Sequence, residues 1–470
     1  NISLFNEYFI LSEMSKIKRT SPGQDNIPYW FYKTFSAHLA PVITAIFNKI
    51  LQIGTFPARW KHAVITPLPK VSQPKENCDF RPISVTPLLS RFFERVFVRN
   101  HILPNLPKEL LLNQFAFKPS GSTSAALVSL NHHITSMLED IAYVHCLSID
   151  FSKAFDTVNH AILLEKLRSL PLHPAVIAVI SSFLFGRSQT TKIGSEISAA
   201  LLITRSIVQG SGLGPYLYII YKSDLKTLCE LNKLLMYADD VNLLVPQNSM
   251  CSLSDEFNSI LSWARQNKMT INLKKTKQLV FRRPNLCLTA LPSYLPDIDV
   301  VDSVKLLGVI VNATFNQFEH VNYVVTMCNQ RLYLLKVLRG LGLNRKGLDC
   351  VFNAIVLSRL IYAVEAWGNF VSKDQEGRIN KTLKKAHKWG LSTHLFTFAM
   401  LQAIYAEKLF YKACVNPQHC LYHLLPPMRQ DTCNYNLRKR KHDYQVIRAQ
   451  TSLHRKSYLI NCLFSGGHVV

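Results

Sequence analysis

The spacing of apolar positions along the chain predicts a mixture of helices and strands. Apolar side chains recur at helical intervals over residues 31–50 and 253–268, the pattern of helices with one buried face. Short apolar runs bounded by turn-forming residues indicate strands, and the clearest covers residues 143–149. Two further extended runs, 63–70 and 80–84, contain prolines, so we expect them at a sheet edge or in loop-like strands.

Two adjacent carboxylates, Asp239 and Asp240, stand between two short apolar runs. This pattern predicts a β-hairpin whose turn carries both carboxylates to one edge of a sheet. Like charges held close together repel, and burial adds to the cost, so such a pair needs either solvent or a cation. A solvated turn is the simpler interpretation. A second acidic strand end, Asp150 directly after the strand 143–149, favours the cation.

Three carboxylates at the ends of neighbouring strands would supply the hard oxygen ligands that Mg²⁺ prefers. Two such ions, roughly 3.5–4 Å apart, clamp the attacking and leaving oxygens of an in-line phosphoryl displacement. We therefore take Asp150, Asp239 and Asp240 as candidate catalytic residues and metal ligands. The expected cofactor is a pair of Mg²⁺ ions, with Mn²⁺ as a possible substitute.

Composition adds a polyanionic partner to this picture. The 470 residues contain 54 Lys and Arg against 30 Asp and Glu, a net charge of +24. Such an excess indicates nucleic acid or an acidic membrane surface, with a solvated basic face as the alternative. The most apolar window, 174–185, is too short to span a bilayer, so we expect no membrane partner.

The remaining bulk features concern domain number and cellular compartment. A chain of this length exceeds one ordinary core and predicts roughly two to four domains. Eleven cysteines without paired spacing indicate reduced intracellular thiols instead of a disulfide framework. The chain opens on Asn1 and shows no signal segment, so we expect it to be a piece of a longer product.

The two acidic motifs and the blocks around them resemble the reverse transcriptase of non-LTR (LINE-type) retrotransposons. Either acidic motif alone is weak, but both in this order are a strong signal, and the resemblance covers about residues 20–370. The blocks that carry it are SPGQDNIP (21–28), FPARWKHAVITPLPK (56–70), DFRPIS (79–84), QFAFKPSGSTSAAL (114–127), IDFSKAFD (149–156), QGS (209–211), YADD (237–240) and NLKKT (272–276).

The resemblance implies an α+β, right-hand polymerase fold. It assigns residues 1–135 to the fingers with an N-terminal extension, 136–315 to a ferredoxin-like palm with the catalytic carboxylates, 316–400 to a helical thumb and 401–470 to a basic C-terminal extension. The implied reaction is extension of a DNA primer 3′-hydroxyl on an RNA template with dNTPs. An endonuclease is expected on the N-terminal part of the full element, and the expected location is intracellular, in nucleus and cytoplasm.

The resemblance also implies roles for single residues outside the carboxylates. Lys70 and Arg81 would bind the triphosphate of the incoming nucleotide, because cations offset phosphate charge and Arg does so bidentately. Phe155 would exclude a ribose 2′-hydroxyl by steric clash. Lys275 would protonate or neutralise the pyrophosphate leaving group.

Three more residues complete the implied substrate site. Gln209 and Gly210 would border the nucleotide pocket, and Phe151, directly after Asp150, would contribute to substrate binding. Most of these assignments have a structural alternative: a surface base for the cations, a core aromatic for Phe155, and a ligand-free loop-to-helix turn for Gln209 and Gly210.

The block at 114–127 departs from the family form. Ala116 and Ser120 replace glycines, Lys118 and Gly121 replace arginines, and Ala125 replaces an aspartate. These changes leave open a catalytically decayed retrotransposon remnant that only binds nucleic acid. A host-adopted polymerase of telomerase or intron-maturase type is a further alternative. The intact carboxylates favour the enzyme.

Overall fold

The computed structural model describes residues 2–284, 292–429, 442–445 and 447–465. They form two compact units that alternate along the chain. Unit 1 comprises Asn1–Leu112, Phe151–Lys226 and Ile260–Thr270, and unit 2 comprises Asn113–Asp150, Thr227–Ser259 and Ile271–Val470. The division into fingers, palm, thumb and extension stays a prediction, and residues 430–441, 446 and 466–470 of the predicted basic extension lie outside the described residues.

Helices and strands alternate through most of the described residues. The helices are α1 (Glu7–Ser15), α2 (Tyr29–Thr34), α3 (Ser36–Ile53), α4 (Leu88–Phe97), α5 (Thr123–Met137), α6 (His160–Arg168), α7 (Pro174–Leu184), α8 (Gly214–Tyr221), α9 (Leu253–Gln266), α10 (Phe318–Gly340), α11 (Arg345–Phe352), α12 (Ser358–Leu360), α13 (Val364–Trp367), α14 (Lys373–Lys388), α15 (Phe398–Val415), α16 (Ser452–Arg455) and α17 (Tyr458–Ser465). The strands are β1 (His62–Pro69), β2 (Phe80–Val85), β3 (Tyr143–Ile149), β4 (Arg187–Ile193), β5 (Glu196–Ile197), β6 (Leu201–Ile203), β7 (Lys233–Tyr237), β8 (Asp240–Pro246), β9 (Lys277–Arg282), β10 (Asp299–Val300), β11 (Ser303–Leu306) and β12 (Val309–Asn312).

The sheet of unit 1 has the order β2-β1-β4-β5, with β6 also paired to β4. Both proline-containing strands are present, but only β2 lies at the edge as expected, whereas β1 lies between β2 and β4. The pairing explains why prolines are tolerated. Strand β1 pairs with β4 only over residues 62–65. Pro67 and Pro69 follow that stretch, where the β4 side of β1 needs no ladder hydrogen bond.

The sheet of unit 2 has the order β10-β9-β3-β8-β7. Strand β3 pairs antiparallel with both β8 and β9, so it is central in the sheet. Most of its residues are buried, in keeping with its near-continuous apolar sequence. The predicted hairpin around the Asp-Asp pair is confirmed as β7 and β8. Its apolar residues join one core with those of β3 and β9, including Cys146, Leu235, Leu244 and Phe281.

The remainder of unit 2 is largely helical. Residues 345–370 are apolar and long enough, by length and composition alone, to cross a membrane, a test that buried core helices also pass. In the structure this stretch contains the short helices α11, α12 and α13 and a left-handed residue, Ala363 at φ 50°. Its residues Phe352, Leu360 and Trp367 are buried in the core of unit 2.

Candidate active site

The register of the unit 2 sheet brings the predicted carboxylates to one end. Ile149 of β3 lies opposite Val241 of β8, so Asp150, one residue later, comes level with Asp240. Tyr237 and Asp240 form the last pair of the hairpin, which leaves Ala238 and Asp239 as its two-residue turn. Asp239 is half-buried and Asp240 exposed.

Asp150 is enclosed by the loop that precedes β9. Its carbonyl oxygen accepts a hydrogen bond from the Asn272 amide at 2.8 Å, and its amide donates to Thr276 Oγ1 at 3.4 Å. The Thr276 hydroxyl in turn donates to the Asn272 carbonyl at 2.9 Å. Sequence reasoning assigned no role to Asn272 or Thr276, although both stand in the NLKKT block. They fix the backbone on which the carboxylate is carried.

The Asp150 carboxyl is harder to ionise than an ordinary aspartate. Partial burial is the main cause that raises its pKa above the ordinary value, and the nearby Asp239 raises it further. Lys275 and a hydrogen bond from Asn272 act in the opposite direction without reversing the shift. Lys275 Nζ lies 4.0 Å from Asp150 Oδ2, so the structure brings the candidate catalytic lysine to the carboxylates.

The donor chemistry of this site fits a divalent cation. Asp239 raises the pKa of Asp150, and a cation between the two carboxylates would stabilise the ionised form of both. Within the described residues no group of three or more His, Cys, Asp or Glu side chains is arranged to hold a metal ion. Mg²⁺ commonly binds one or two protein carboxylates and completes its shell with substrate phosphate and water.

The candidate nucleotide-pocket residues lie together in unit 1. The Phe155 ring stacks on Tyr218 with centroids 4.3 Å apart, and Gln209 Nε2 donates to Asp156 Oδ1 at 2.8 Å. The Ser84 amide donates to the Gln209 carbonyl at 2.7 Å. Phe155, Gln209 and Gly210 are thus connected through backbone and side-chain contacts to the end of β2.

The same part of unit 1 contains an open cleft of about 350 Å³. Its wall combines the 204–209 loop with Ser84, Asp156 and Gln189. Gly210 follows the loop in a left-handed conformation, φ 115°, and a Cβ there would lie 2.6 Å from the Ser84 carbonyl oxygen. A glycine is therefore required where the loop meets β2.

The two candidate phosphate-binding cations lie at one end of the β1-β2 pair. Arg81 pairs in register with Leu68, and its side chain is exposed. The Lys70 ammonium donates to the Cys78 carbonyl at 2.8 Å, and its amide donates to the Asp79 carbonyl at 2.7 Å. Arg81 is the more accessible of the two for an anionic ligand, because Lys70 also closes the turn between the strands.

Phe151 differs from the other candidates because it belongs to the core of unit 1. It is 4 % exposed, packs edge-on against Trp263 at 6.1 Å and lies under the Lys222 ammonium, which is 4.9 Å from its ring centroid. This environment favours a packing role, and substrate binding by Phe151 stays a prediction.

The departures of the 114–127 block from the family form are accommodated by this backbone. Ala116 is not among the residues with positive φ, so a glycine is not required there. Ser120 is left-handed, φ 63°, but its hydroxyl accepts a hydrogen bond from the Cys420 amide at 2.9 Å. A Cβ at Gly121 would collide with the Phe115 carbonyl oxygen, so no larger residue fits.

Carboxylates that converge at one end of a mostly antiparallel sheet are the arrangement that metal-dependent nucleotidyl transfer requires. Comparison with known families specifies the class further. The family model described as reverse transcriptase (RNA-dependent DNA polymerase) matches residues 73–311, just over half of the chain. The chain belongs to this family, on its non-LTR retrotransposon branch, and has its α+β, right-hand polymerase fold. Divalent-metal dependence is general in the family.

Curated relatives support the same placement. The chain is 27 % identical over 390 residues to the probable RNA-directed DNA polymerase from transposon BS of Drosophila melanogaster, covering 78 % of this chain and 42 % of the relative. It is 27 % identical over 374 residues to the polymerase from mobile element jockey of Drosophila funebris, covering 76 % and 40 %. The chain thus spans about two fifths of the length of these relatives.

A solved structure of telomerase from Candida tropicalis, in complex with a fragment of telomeric RNA, also matches. It is 13 % identical, with a TM-score of 0.39, and the match covers 83 % of this chain and 67 % of that chain.

Proposed function

We propose that this chain is the polymerase part of a non-LTR retrotransposon reverse transcriptase. It extends a DNA primer 3′-hydroxyl on an RNA template with dNTPs and releases pyrophosphate. The observation that carries the proposal is the convergence of Asp150, Asp239 and Lys275 at one end of the unit 2 sheet, with the pKa of Asp150 raised by burial and by Asp239.

The proposed cofactor is Mg²⁺, as two ions, with Mn²⁺ as a substitute. Asp150 and Asp239 would hold the ions, and the exposed Asp240 would support them. When bound, the ions would lower the pKa of the primer hydroxyl and offset charge on the phosphates. Lys275, whose charge lowers the pKa of Asp150, would protonate or neutralise the pyrophosphate leaving group.

The substrate roles in unit 1 follow from side-chain chemistry. Arg81 would bind the triphosphate with its guanidinium, and Lys70 would assist once its hydrogen bond to the Cys78 carbonyl is exchanged. Phe155, held by its stack on Tyr218, would exclude ribonucleotides. Gln209 and Gly210 would form the floor of the nucleotide pocket.

The wider setting rests on the relatives, which are longer than this chain. We propose that the partners are an RNA template and a DNA primer or target, and that an endonuclease is encoded in the part of the element preceding this region. The proposed location is intracellular, in cytoplasm and nucleus, since reverse transcription requires element RNA and genomic DNA.

Primer extension tests the proposal. A DNA primer annealed to an RNA template is incubated with dNTPs and Mg²⁺, with Asp239→Asn and, as a matched surface change in unit 2, Asp374→Asn. We expect extension by wild type and Asp374→Asn, and loss of more than about 100-fold in Asp239→Asn, beyond the 10–100-fold typical of groups outside the ligand shell. Equal extension by all three would refute the metal assignment.

The departures in the 114–127 block favour one alternative function, a remnant that binds nucleic acid without polymerising it. Its mark would be salt-sensitive binding of RNA by wild type without extension in either Mg²⁺ or Mn²⁺. The backbone accommodates Ala116, Ser120 and Gly121, so these changes leave the loop folded, as both functions require.

A further inference from the structure

Residues 113–115, which are distant in sequence, run along β7, the outer strand of the hairpin that carries Asp239 and Asp240 in its acidic turn. The Met236 amide donates to the Asn113 carbonyl at 2.8 Å, and the Phe115 amide donates to the Met236 carbonyl at 2.9 Å. Residues 113–115 thus form a short parallel bridge to β7. This places Gln114 two residues from the turn that carries Asp239.

The Gln114 side chain is buried and fully engaged as an acceptor. It is 1 % exposed, and its Oε1 accepts hydrogen bonds from the Ala116 amide at 2.9 Å and from the Ala238 amide at 3.0 Å. One amide oxygen therefore joins its own loop to the first residue of the acidic turn.

The turn needs such an anchor because its first residue is strained. Ala238 has φ 56°, a left-handed conformation that L-residues other than glycine adopt reluctantly. It is also buried, with 7 % of its surface exposed, so its amide needs a hydrogen-bond acceptor within the protein. Strained residues persist where their surroundings over-determine them, and the Gln114 oxygen supplies one such constraint.

We propose that Gln114 is a positioning residue for the candidate metal ligand Asp239. It acts through the backbone: by holding the Ala238 amide it fixes the turn, and the turn fixes the direction of the next side chain. Gln114 itself is too buried to touch substrate. This inference rests on the proposed function for its catalytic consequence, but its structural content is independent of polymerisation.

Two substitutions of Gln114 distinguish the effect of losing the hydrogen-bond acceptor from the effect of changing the side-chain volume. Gln114→Met keeps a side chain of similar length and removes the acceptor, whereas Gln114→Glu keeps an oxygen that both amides can reach. The matched control is Gln278→Met. Gln278 is also fully buried in the unit 2 sheet, where its Oε1 accepts from the Leu295 amide at 3.1 Å and its Nε2 lies 3.2 Å from His145 Nδ1 and 3.4 Å from the Ser293 carbonyl oxygen.

Three readouts are used with the whole chain: hydrogen exchange of the peptide spanning 236–240, Mn²⁺ affinity by electron paramagnetic resonance, and kcat and KM for dNTP in primer extension. We expect Gln114→Met to speed exchange in that peptide and to weaken Mn²⁺ binding by about 10–100-fold, the range for groups that orient metal ligands. The kcat should fall by a similar factor with KM for dNTP within about 2-fold, since positioning acts at the chemical step.

The variants then decide the proposal. Gln114→Glu should retain protection of the turn and most of the Mn²⁺ affinity, and Gln278→Met should alter neither. The proposal is overturned if Gln114→Met leaves turn exchange and Mn²⁺ affinity at wild-type values, or if Gln278→Met reproduces both changes. Absence of extension by wild type would instead count against the proposed function, because exchange and Mn²⁺ binding are measured without it.

Discussion

Gly121 stands where the family form has an arginine, and the structure makes restoring that arginine costly. A side chain there would meet the Phe115 carbonyl oxygen, so Gly121→Arg should lower the free energy of unfolding by about 1–3 kcal/mol, as overpacking does. Urea denaturation measures it. Ser120→Gly is the control, because relief of the left-handed backbone offsets the lost Cys420 bond. A Gly121→Arg variant that is as stable as wild type and more active in primer extension would mean that the glycine at position 121 impairs activity.

Asp150 should limit stability in the absence of metal. Its raised pKa means that the folded chain binds this proton more tightly than the unfolded chain. The free energy of unfolding therefore falls as the pH rises from about 4, the ordinary Asp value, through the raised pKa, and stays lower above it.

Asp150→Asn should remove that loss. In EDTA it should stabilise the chain by up to about 1 kcal/mol near neutral pH, a small amount because the side chain is 35 % exposed. The gain should be smaller at about pH 5 than at about pH 8, and extension should be abolished. Asp374→Asn should show neither pH dependence nor loss of activity. A destabilised Asp150→Asn at neutral pH would contradict the sign of the shift.

Phe155 and Phe151 offer a paired test of sugar selection. Phe155 is half-buried and stacked on Tyr218, whereas Phe151 is buried against Trp263. Phe155→Ala should raise incorporation of ribonucleotides relative to deoxynucleotides by roughly 10–100-fold, the range for one steric contact in a pocket. Phe151→Ala should lower stability without changing that ratio. An unchanged ratio in Phe155→Ala would make that ring a packing residue.

At the scale of elements, the conformation of the 204–210 loop depends on its single glycine, Gly210. Gly210→Ala combines a left-handed φ with a close approach to the Ser84 carbonyl, so it should lower the free energy of unfolding by about 2–3 kcal/mol and raise KM for dNTP. Gly194→Ala is the matched control, since Gly194 is left-handed at φ 61° in open space and should lose only about 1 kcal/mol. Equal losses would show that contact with Ser84 is unimportant.

Local patterns predicted the elements well where the pattern itself decides the structure. The apolar run before Asp150 became β3, the Asp-Asp pair became the β7-β8 turn, and the 253–268 periodicity became α9. The helix expected over 31–50 is broken at Phe35 into α2 and α3, a break without a strong local signal.

Contacts between segments distant in sequence could not be predicted from the sequence pattern. Gln114 meets Ala238 across 124 positions, and the hydroxyl of Thr276 meets the Asp150 amide across 126. Both depend on strand order and register, which periodicity does not specify. The assignment of Phe151 to substrate binding is a different case. Its position directly after Asp150 in the sequence suggested that role, whereas its burial favours a packing role.

At the scale of the whole molecule, the net charge of +24 should govern nucleic-acid affinity. Binding to an RNA–DNA hybrid should weaken by at least about 10³-fold between 50 and 200 mM salt, as expected for about six or more neutralised phosphates. Fluorescence anisotropy across a salt series measures the slope. Asp239→Asn should leave the slope unchanged, because catalytic ligands contribute little to counterion release. A weak slope would indicate that the basic residues are mostly a solvated face.

The alternation of the two units along the chain limits how copies of such an element can decay. Unit 1 takes its last segment from Ile260–Thr270, and unit 2 takes most of its length from beyond residue 270. A stop codon anywhere upstream of that point would leave both units incomplete. A copy that keeps both units folded therefore keeps its reading frame open well beyond residue 270, and it can lose polymerisation by substitution at a single position, such as Asp150 or Asp239.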